Sequence, residues 1–320
     1  MNNLQNALFA WYHNNKRALP WRGEKDPYRI LLSEVLLQQT RAEQAAPYYQ
    51  KFLQRFPTLK SLARASLEDV LLVWQGAGYY SRARNLHKLA RMVVSHSRAP
   101  LPAKYAELIE LPGIGPYTAT AVASIGFGEP VAVVDGNVRR VIARLFAKKD
   151  LSASQYQKKA DGLLSKDSPG DWNQALMELG ATVCVPKNPK CTVCPLARWC
   201  KGKKLPEKYP KAKTKVQKPV KAVALVLIGK SGVFLEARNG TVLGGLWGVP
   251  LQEDTKEIGE LLRRYHLKQA DYLGPITHNF THKKLTVHVY RAGWKGPGIK
   301  PEDKPLSVLD RKILRKAHAL

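Results

Sequence analysis

The spacing of apolar positions changes once along this chain. Over residues 1–200 they recur every three or four positions, the period of helices that bury one face. Asp26-Pro27 reads as an N-cap followed by a first-turn proline, and opens the helix PYRILLSEVLLQQT. Ser66 and Asp69 cap SLEDVLLVWQG, and a turn carrying Gly76 and Gly78 leads into YYSRARNLHKLARMVV. Further helical patterns cover 103–109, 117–127, 137–147 and 172–183, with no strand of consequence, so an all-α domain is expected. Residues 201–221, KGKKLPEKYPKAKTKVQKPVK, have no apolar period and read as a linker. Beyond it the period becomes two. Residues 222–229 and 233–238 flank a Gly-Lys-Ser-Gly turn, 285–294 alternate in the same way, and KEIGELLRRYHL reads as a helix between them. The expected organisation is multidomain: an all-α domain over 1–202, a basic linker over 203–220 and an α+β domain over 221–320.

Charge narrows the class of partner. The 320 residues carry 52 Lys and Arg against 25 Asp and Glu, a net charge of +27 spread along the chain, which suits a polyanion. The N-terminal MNNLQNALFAWYHNN lacks a charged segment followed by an apolar core, so it does not read as a signal peptide. The apolar run 222–228 is too short to span a bilayer, so no membrane association is expected. A cytoplasmic location follows (on the nucleoid, in a bacterium), with reduced cysteines.

The densest chemistry lies in LPGIGPYTATAVASIGFGEPVAVVDGN, residues 111–137. Gly113 and Gly115 permit a tight turn between two helical patterns, and Pro116 starts the second. Amides at such a helix start form a natural phosphate seat. Asp135 follows an apolar run and precedes Gly136-Asn137 at another helix start, where the dipole favours its anion. Glu34 is the odd residue in ILLSEVLL: a carboxylate in a helix apolar nearly all round loses hydration, and its pKa is expected to rise. One protonated and one ionised carboxyl are what cleavage of a glycosidic bond requires. Cys184, Cys191, Cys194 and Cys200 fall in the spacing C-x6-C-x2-C-x5-C, which suits either zinc or an iron–sulfur cluster.

Together these motifs resemble the helix-hairpin-helix base-excision DNA glycosylases, and within them the MutY-type adenine glycosylases. The resemblance covers roughly residues 5–200. It implies that Glu34, in SEVLLQQT, protonates adenine at N7 and that Asp135, in VDGN, stabilises the sugar cation, with Asn137 and Tyr117 beside them. Lysine at the position of Tyr117 marks relatives that also nick the strand, so tyrosine implies a monofunctional enzyme. Gln39 and Tyr79 match residues inserted into the duplex, and Trp21, Arg22 and Glu178 match residues that hold the flipped adenine. The four cysteines match a [4Fe–4S] site. The C-terminal domain resembles the Nudix-like fold that reads 8-oxoguanine opposite adenine. Its helix lacks the R-E-x-x-E-E metal ladder, so phosphohydrolysis is not expected. Phe280, Thr281 and His282 match the family's Phe-Ser-His loop, with Thr in place of Ser. The implied substrate is double-stranded DNA with adenine opposite 8-oxoguanine or guanine, acted on by a monomer. The alternatives are a thymine- or pyrimidine-specific glycosylase, against which the second domain counts, and a non-catalytic lesion-binding protein, against which Glu34, Asp135 and Tyr117 count together.

Overall fold

The computed structural model describes residues 3–96, 101–211, 217–240, 243–280 and 282–320. The helical part runs α1 (Asn3–Asn15), α2 (Pro27–Leu37), α3 (Ala42–Arg55), α4 (Leu59–Arg64), α5 (Leu67–Trp74), α6 (Ser81–His96), α7 (Tyr105–Leu108), α8 (Pro116–Phe127), α9 (Gly136–Leu145), α10 (Ala153–Leu163) and α11 (Pro169–Thr182). Among the described residues it contains no strand. The expected caps are present: Asp26 accepts from the Tyr28 amide, Ser66 from that of Asp69, and Pro116 occupies the first turn of α8.

By their contacts the residues form two compact units. One comprises Met1–Ala63 with Lys88–Lys213, the other Arg64–His87 with Thr214–Leu320. In the first, α2 packs on α3 and α8, and α11 packs on α1, α8 and α9. Trp172 of α11 is fully buried in a core shared with Leu8, Val138, Ile142 and Leu176.

The second unit is built on a five-stranded sheet. Strand β1 (Lys218–Gly229) pairs antiparallel with β2 (Gly232–Val233). The strands β3 (Glu236–Ala237) and β4 (Trp247–Gly248) form a separate pair, and β5 (Leu251–Glu253) pairs antiparallel with β1. After the short helix α12 (Gly259–Arg264) come β6 (Asp271–Asn279) and β7 (Lys283–Gly293), an antiparallel pair, with β7 parallel to β1. Helix α13 (Val308–Lys316) closes the chain. β1 is apolar on both faces because both are covered. Ala222, Ala224 and Val226 face one core with Leu309 and Ile313, while Val223, Leu225 and Leu227 face another with Leu261.

The α+β character of this part is as expected, but three details differ. Residues 233–238 do not form one strand, since Val233 pairs in the main sheet and Glu236–Ala237 in the small one. The helix expected over KEIGELLRRYHL is confined to Gly259–Arg264. β6 and α13 were not anticipated. Gly274, at φ 95°, and Pro275 lie inside β6 with a register shift beside them, and such breakers hide a strand pattern.

One close approach in the first unit is fixed by a glycine. A Cβ on Gly180 of α11 would stand 2.6 Å from the Cβ of Asn137 and 3.0 Å from its carbonyl carbon, because α11 and α9 touch there. Gly180→Ala is therefore expected to destabilise the fold by about 1–3 kcal/mol through overpacking, offset in part by roughly 1 kcal/mol of helix propensity. A lower melting temperature by calorimetry is the expected result.

Candidate active site

Glu34 reaches the wall of a cavity of about 670 Å³ that Tyr117, Asp135 and Asn137 also line. The cavity is enclosed by side chains from α2, α8, α9 and α11, so the helix packing that buries the core also brings these four residues together. Glu34 is 4% exposed and accepts a short hydrogen bond from the Tyr117 hydroxyl. Burial pushes its carboxyl up to about 7, the Tyr117 bond and the charge of Arg22 oppose that rise, and Asp135 adds to it. The Tyr117 hydroxyl also lies 3.7 Å from the Met177 sulfur, and burial followed by the nearby carboxylates drives its own pKa well up.

Asp135 caps α9. Its Oδ1 accepts from the Val138 amide at 2.6 Å, and its Oδ2 accepts from Asn137 Nδ2 at 3.0 Å. The donors at this helix start favour the anion, as expected, and burial works against them. Burial raises its pKa, against the Val138 and Asn137 hydrogen bonds and the Arg140 charge, which lower it. The two carboxyls differ in their partners among the described residues: Asp135 accepts from the Val138 and Asn137 backbone amides and the Asn137 side chain, Glu34 from the Tyr117 phenol. Asn137 is itself held, since Arg140 Nη2 donates to its Oδ1 at 2.8 Å, and the same guanidinium donates to the carbonyls of Gly180 and Cys184 at 2.7 Å each.

Trp21, Arg22, Gln39 and Glu178 line the same cavity. Trp21 is nearly buried, edge-on to Tyr49 with centroids 5.4 Å apart. Glu178 is 1% exposed and lies between two arginines. Arg17 Nε donates to it at 2.6 Å, and Arg22 Nη2 makes a short bond to the other oxygen. Burial works to raise the Glu178 carboxyl, but the Arg17 and Arg22 bonds and charges outweigh it and hold the group below the ordinary glutamate value. Arg17 also bridges to Glu43 at 2.6 Å. No local pattern marks Arg17, because its partner lies 161 positions away.

Gln39 and Tyr79 share a backbone feature that sequence does not display. Both have positive φ, 61° and 49°, a conformation that costs a non-glycine residue energy and that collects at functional sites. Gln39 is on the cavity lining, while Tyr79 falls in the Arg64–His87 segment of the second unit, 43% exposed. In the hairpin between α7 and α8, Gly113 has φ 77° and Gly115 begins α8 with no side-chain cap, leaving first-turn amides for a ligand.

The four cysteines ring a second small cavity of about 30 Å³. Burial, then the neighbouring thiols, push Cys194 up to about 11, so four thiolates together require a cation to balance them. The buried Arg144 turns one guanidinium on this loop, donating to Cys184 Sγ at 3.3 Å, the Val185 carbonyl at 2.7 Å and the Pro206 carbonyl at 2.9 Å. Sequence reasoning missed it. The donor set and its surroundings fit a thiolate-ligated metal centre.

At the tip between β6 and β7, Phe280 packs against the sheet core and stacks edge-on with His278 at 4.7 Å, while His282 is exposed. Thr281 lies outside the described residues. No helix among the described residues is long and apolar enough to cross a membrane.

Comparison with known proteins matches both parts of the chain. Residues 32–166 match the HhH-GPD superfamily base excision DNA repair protein family, and residues 222–316 match the NUDIX domain. A human protein named adenine DNA glycosylase is 34% identical over 370 residues, covering 92% of this chain and 67% of its own length. One of the same name from Buchnera aphidicola (strain Bp) is 37% identical over 250 residues, covering 75% of this chain and 70% of its own. The solved structure of a thermostable thymine-DNA glycosylase superposes with a TM-score of 0.59 at 29% identity, over 62% of this chain and 94% of that one. A non-covalent endonuclease III–DNA complex gives a TM-score of 0.55 at 26% identity, over 64% and 97%. The helical glycosylase family and the NUDIX domain match successive parts of one chain, its curated relatives share a single name, and the chain belongs to the adenine DNA glycosylase family.

Proposed function

We propose that this chain hydrolyses the N-glycosidic bond of adenine mispaired with 8-oxoguanine or guanine in duplex DNA, leaving an abasic site. The observation that carries this reading is the buried Glu34 carboxyl, pushed up to about 7 in a cavity it shares with Asp135. Near neutral pH Glu34 holds a proton it can give to adenine N7. As the bond from N9 to the sugar breaks, its electron pair leaves with the protonated base and the sugar becomes an oxocarbenium ion. Asp135 sets a negative charge beside that ion, Asn137 orients Asp135, and water then adds to the sugar carbon while its proton returns to the Glu34 carboxylate. Tyr117 orients Glu34 and has no amine to attack the sugar, so no covalent imine forms and the strand is not cut. A flipped adenine would rest against Trp21, with Arg22 and Glu178 meeting its polar edge, and Gln39 and Tyr79 would fill the space it leaves. Gly113 and Gly115 would seat a phosphate.

Cys184, Cys191, Cys194 and Cys200 would hold a [4Fe–4S] cluster, which supplies a covalent cross-link that fixes the basic loop against DNA. Phe280, Thr281 and His282 would read the opposite base, and the protein would act as a cytoplasmic monomer. The thymine- or pyrimidine-specific alternative accounts for the helical part alone: the two solved relatives cover 62% and 64% of the chain.

The direct test is release of free adenine from a duplex with A opposite 8-oxoguanine, compared with A opposite T. Release from the first and not the second is expected, and equal or absent release overturns the reading.

Glu34→Gln should keep DNA binding and lower single-turnover release by about 10²–10⁴-fold, the usual worth of general acid catalysis. The wild-type rate should fall as pH rises through about 7, where Glu34 loses its proton. The same shift bears on stability. A carboxyl raised from 4.5 to about 7 makes the folded state bind a proton that the unfolded chain releases in that window. Stability is lost as pH climbs through it, so Glu34→Gln should melt above wild type at about pH 8 and match it at about pH 4.

Purified protein should be yellow-brown and contain about four irons per chain, the content of a Cys₄-ligated cubane. Metal analysis that finds one zinc instead would assign the cysteines to zinc.

A further inference from the structure

The Arg64–His87 segment belongs in sequence to the helical domain and packs with the C-terminal one. Between α5 and α6 it makes a turn in which Gly76, Gly78 and Tyr79 all have positive φ, 99°, 73° and 49°. Three such residues among four do not hold one shape unaided. On one side the turn is tied by Trp74 Nε1, which donates to the Gly78 carbonyl at 3.0 Å, and by Arg82 Nη2, which donates to the Ala77 and Gly78 carbonyls at 3.0 Å each. The Arg82 guanidinium also lies over the Tyr79 ring, 5.1 Å from its centroid.

The other side is tied by residues 304–306, which join the final 3₁₀ turn to α13. The buried Tyr80 hydroxyl donates to the Leu306 carbonyl at 3.0 Å and accepts from the Gly76 amide at 3.4 Å. Gln75 Oε1 accepts from the Leu306 amide at 3.0 Å, so both backbone groups of Leu306 are taken by the ends of the turn. Lys304 completes the clasp, with its ammonium 2.7 Å from Glu68 Oε1 and 4.5 Å from the centre of the Trp247 ring. Leu306 also forms a parallel bridge with Trp247, and the Pro305 carbonyl accepts from the Trp247 amide at 2.9 Å. Arg84 Nη1 adds a bond to the Gly244 carbonyl at 2.7 Å. The turn that carries Tyr79 is thus fastened to the sheet domain through the Leu306 backbone.

We infer that Gln75 and Tyr80 are positioning residues through which the C-terminal domain sets the Tyr79 turn, and with it the preference for the base opposite adenine. This rests on the reading of Tyr79 as an inserted residue. A residue inserted beside the opposite base responds to that base only if its backbone is held, and one side of the hold here comes from the domain expected to read the lesion. The C-terminal domain then acts on selectivity along two routes, its own β6–β7 tip and the Leu306 clasp.

The test uses the full chain as wild type, Tyr80→Phe and Gln75→Ala. Single-turnover adenine release is measured opposite 8-oxoguanine and opposite guanine, with 2-aminopurine fluorescence beside the lesion reporting insertion. Each variant removes one hydrogen bond, so the preference for 8-oxoguanine should fall about two- to tenfold, the worth of one buried hydrogen bond. Release opposite guanine should change little, and the fluorescence response to the lesion should shrink. An unchanged preference in both variants overturns the inference, as does an equal loss on both substrates, which would indicate general destabilisation. The wild type separates the two readings: if it lacks any preference, opposite-base reading fails and the inference goes with it. Where the wild type prefers 8-oxoguanine and both variants keep that preference, the inference alone fails.

Discussion

The structure turns on one dehydrated carboxyl. Glu34 sits in α2 among Ile30, Leu31, Leu32, Val35 and Leu36, all nearly inaccessible, and its single close donor is the Tyr117 hydroxyl. A carboxylate in that setting loses more hydration than one phenol returns, so the protonated form persists to about 7. The cost is carried by the packing of α2 on α3 and α8, which would otherwise gain from an apolar residue at the same place. Asp135 is the counterpart. It is also dehydrated, but amides at the start of α9 and the Asn137 side chain stabilise its anion. Two carboxyls in one cavity are thus both raised by burial, against a different number and kind of donors around each.

How much of this is legible in sequence depends on the range of the interaction. Local signals are read well: the caps at Asp26 and Ser66, the proline that opens α8, the glycines of the hairpin and the misplaced Glu34 are all written within a few residues. Burial at Asp135 was not legible, because it depends on what packs around the helix start. Arg17 and Arg144 were invisible for the same reason, with partners brought in from across the fold. Ser307 and Asp310 carry the same capping signal as Ser66 and Asp69, and their side chains form the same cap, yet α13 was overlooked. α12 is short because the chain reaches positive φ at His266 and enters the helix only at Gly259.

The second unit shows how sequence order and spatial grouping part company. α5 and the turn after it read as continuous with the helical domain, yet they pack with residues from Thr214 onward. Nothing in their periodicity marks this, since Tyr80 and Gln75 pair with Leu306 more than two hundred positions away. Placing Tyr79 on that turn ties an exposed aromatic in a strained backbone to the sheet domain.

Burial, more than the charge of Asp135, keeps Glu34 protonated near neutrality. Infrared difference spectra between wild type and Glu34→Gln, followed across pH, isolate the protonated-carboxyl stretch of this one residue. A band that is lost with a midpoint near 7 is expected, shifted further upward in a variant that removes the Tyr117 hydroxyl, since that bond favours the anion. A midpoint near 4.5, the ordinary glutamate value, would contradict it.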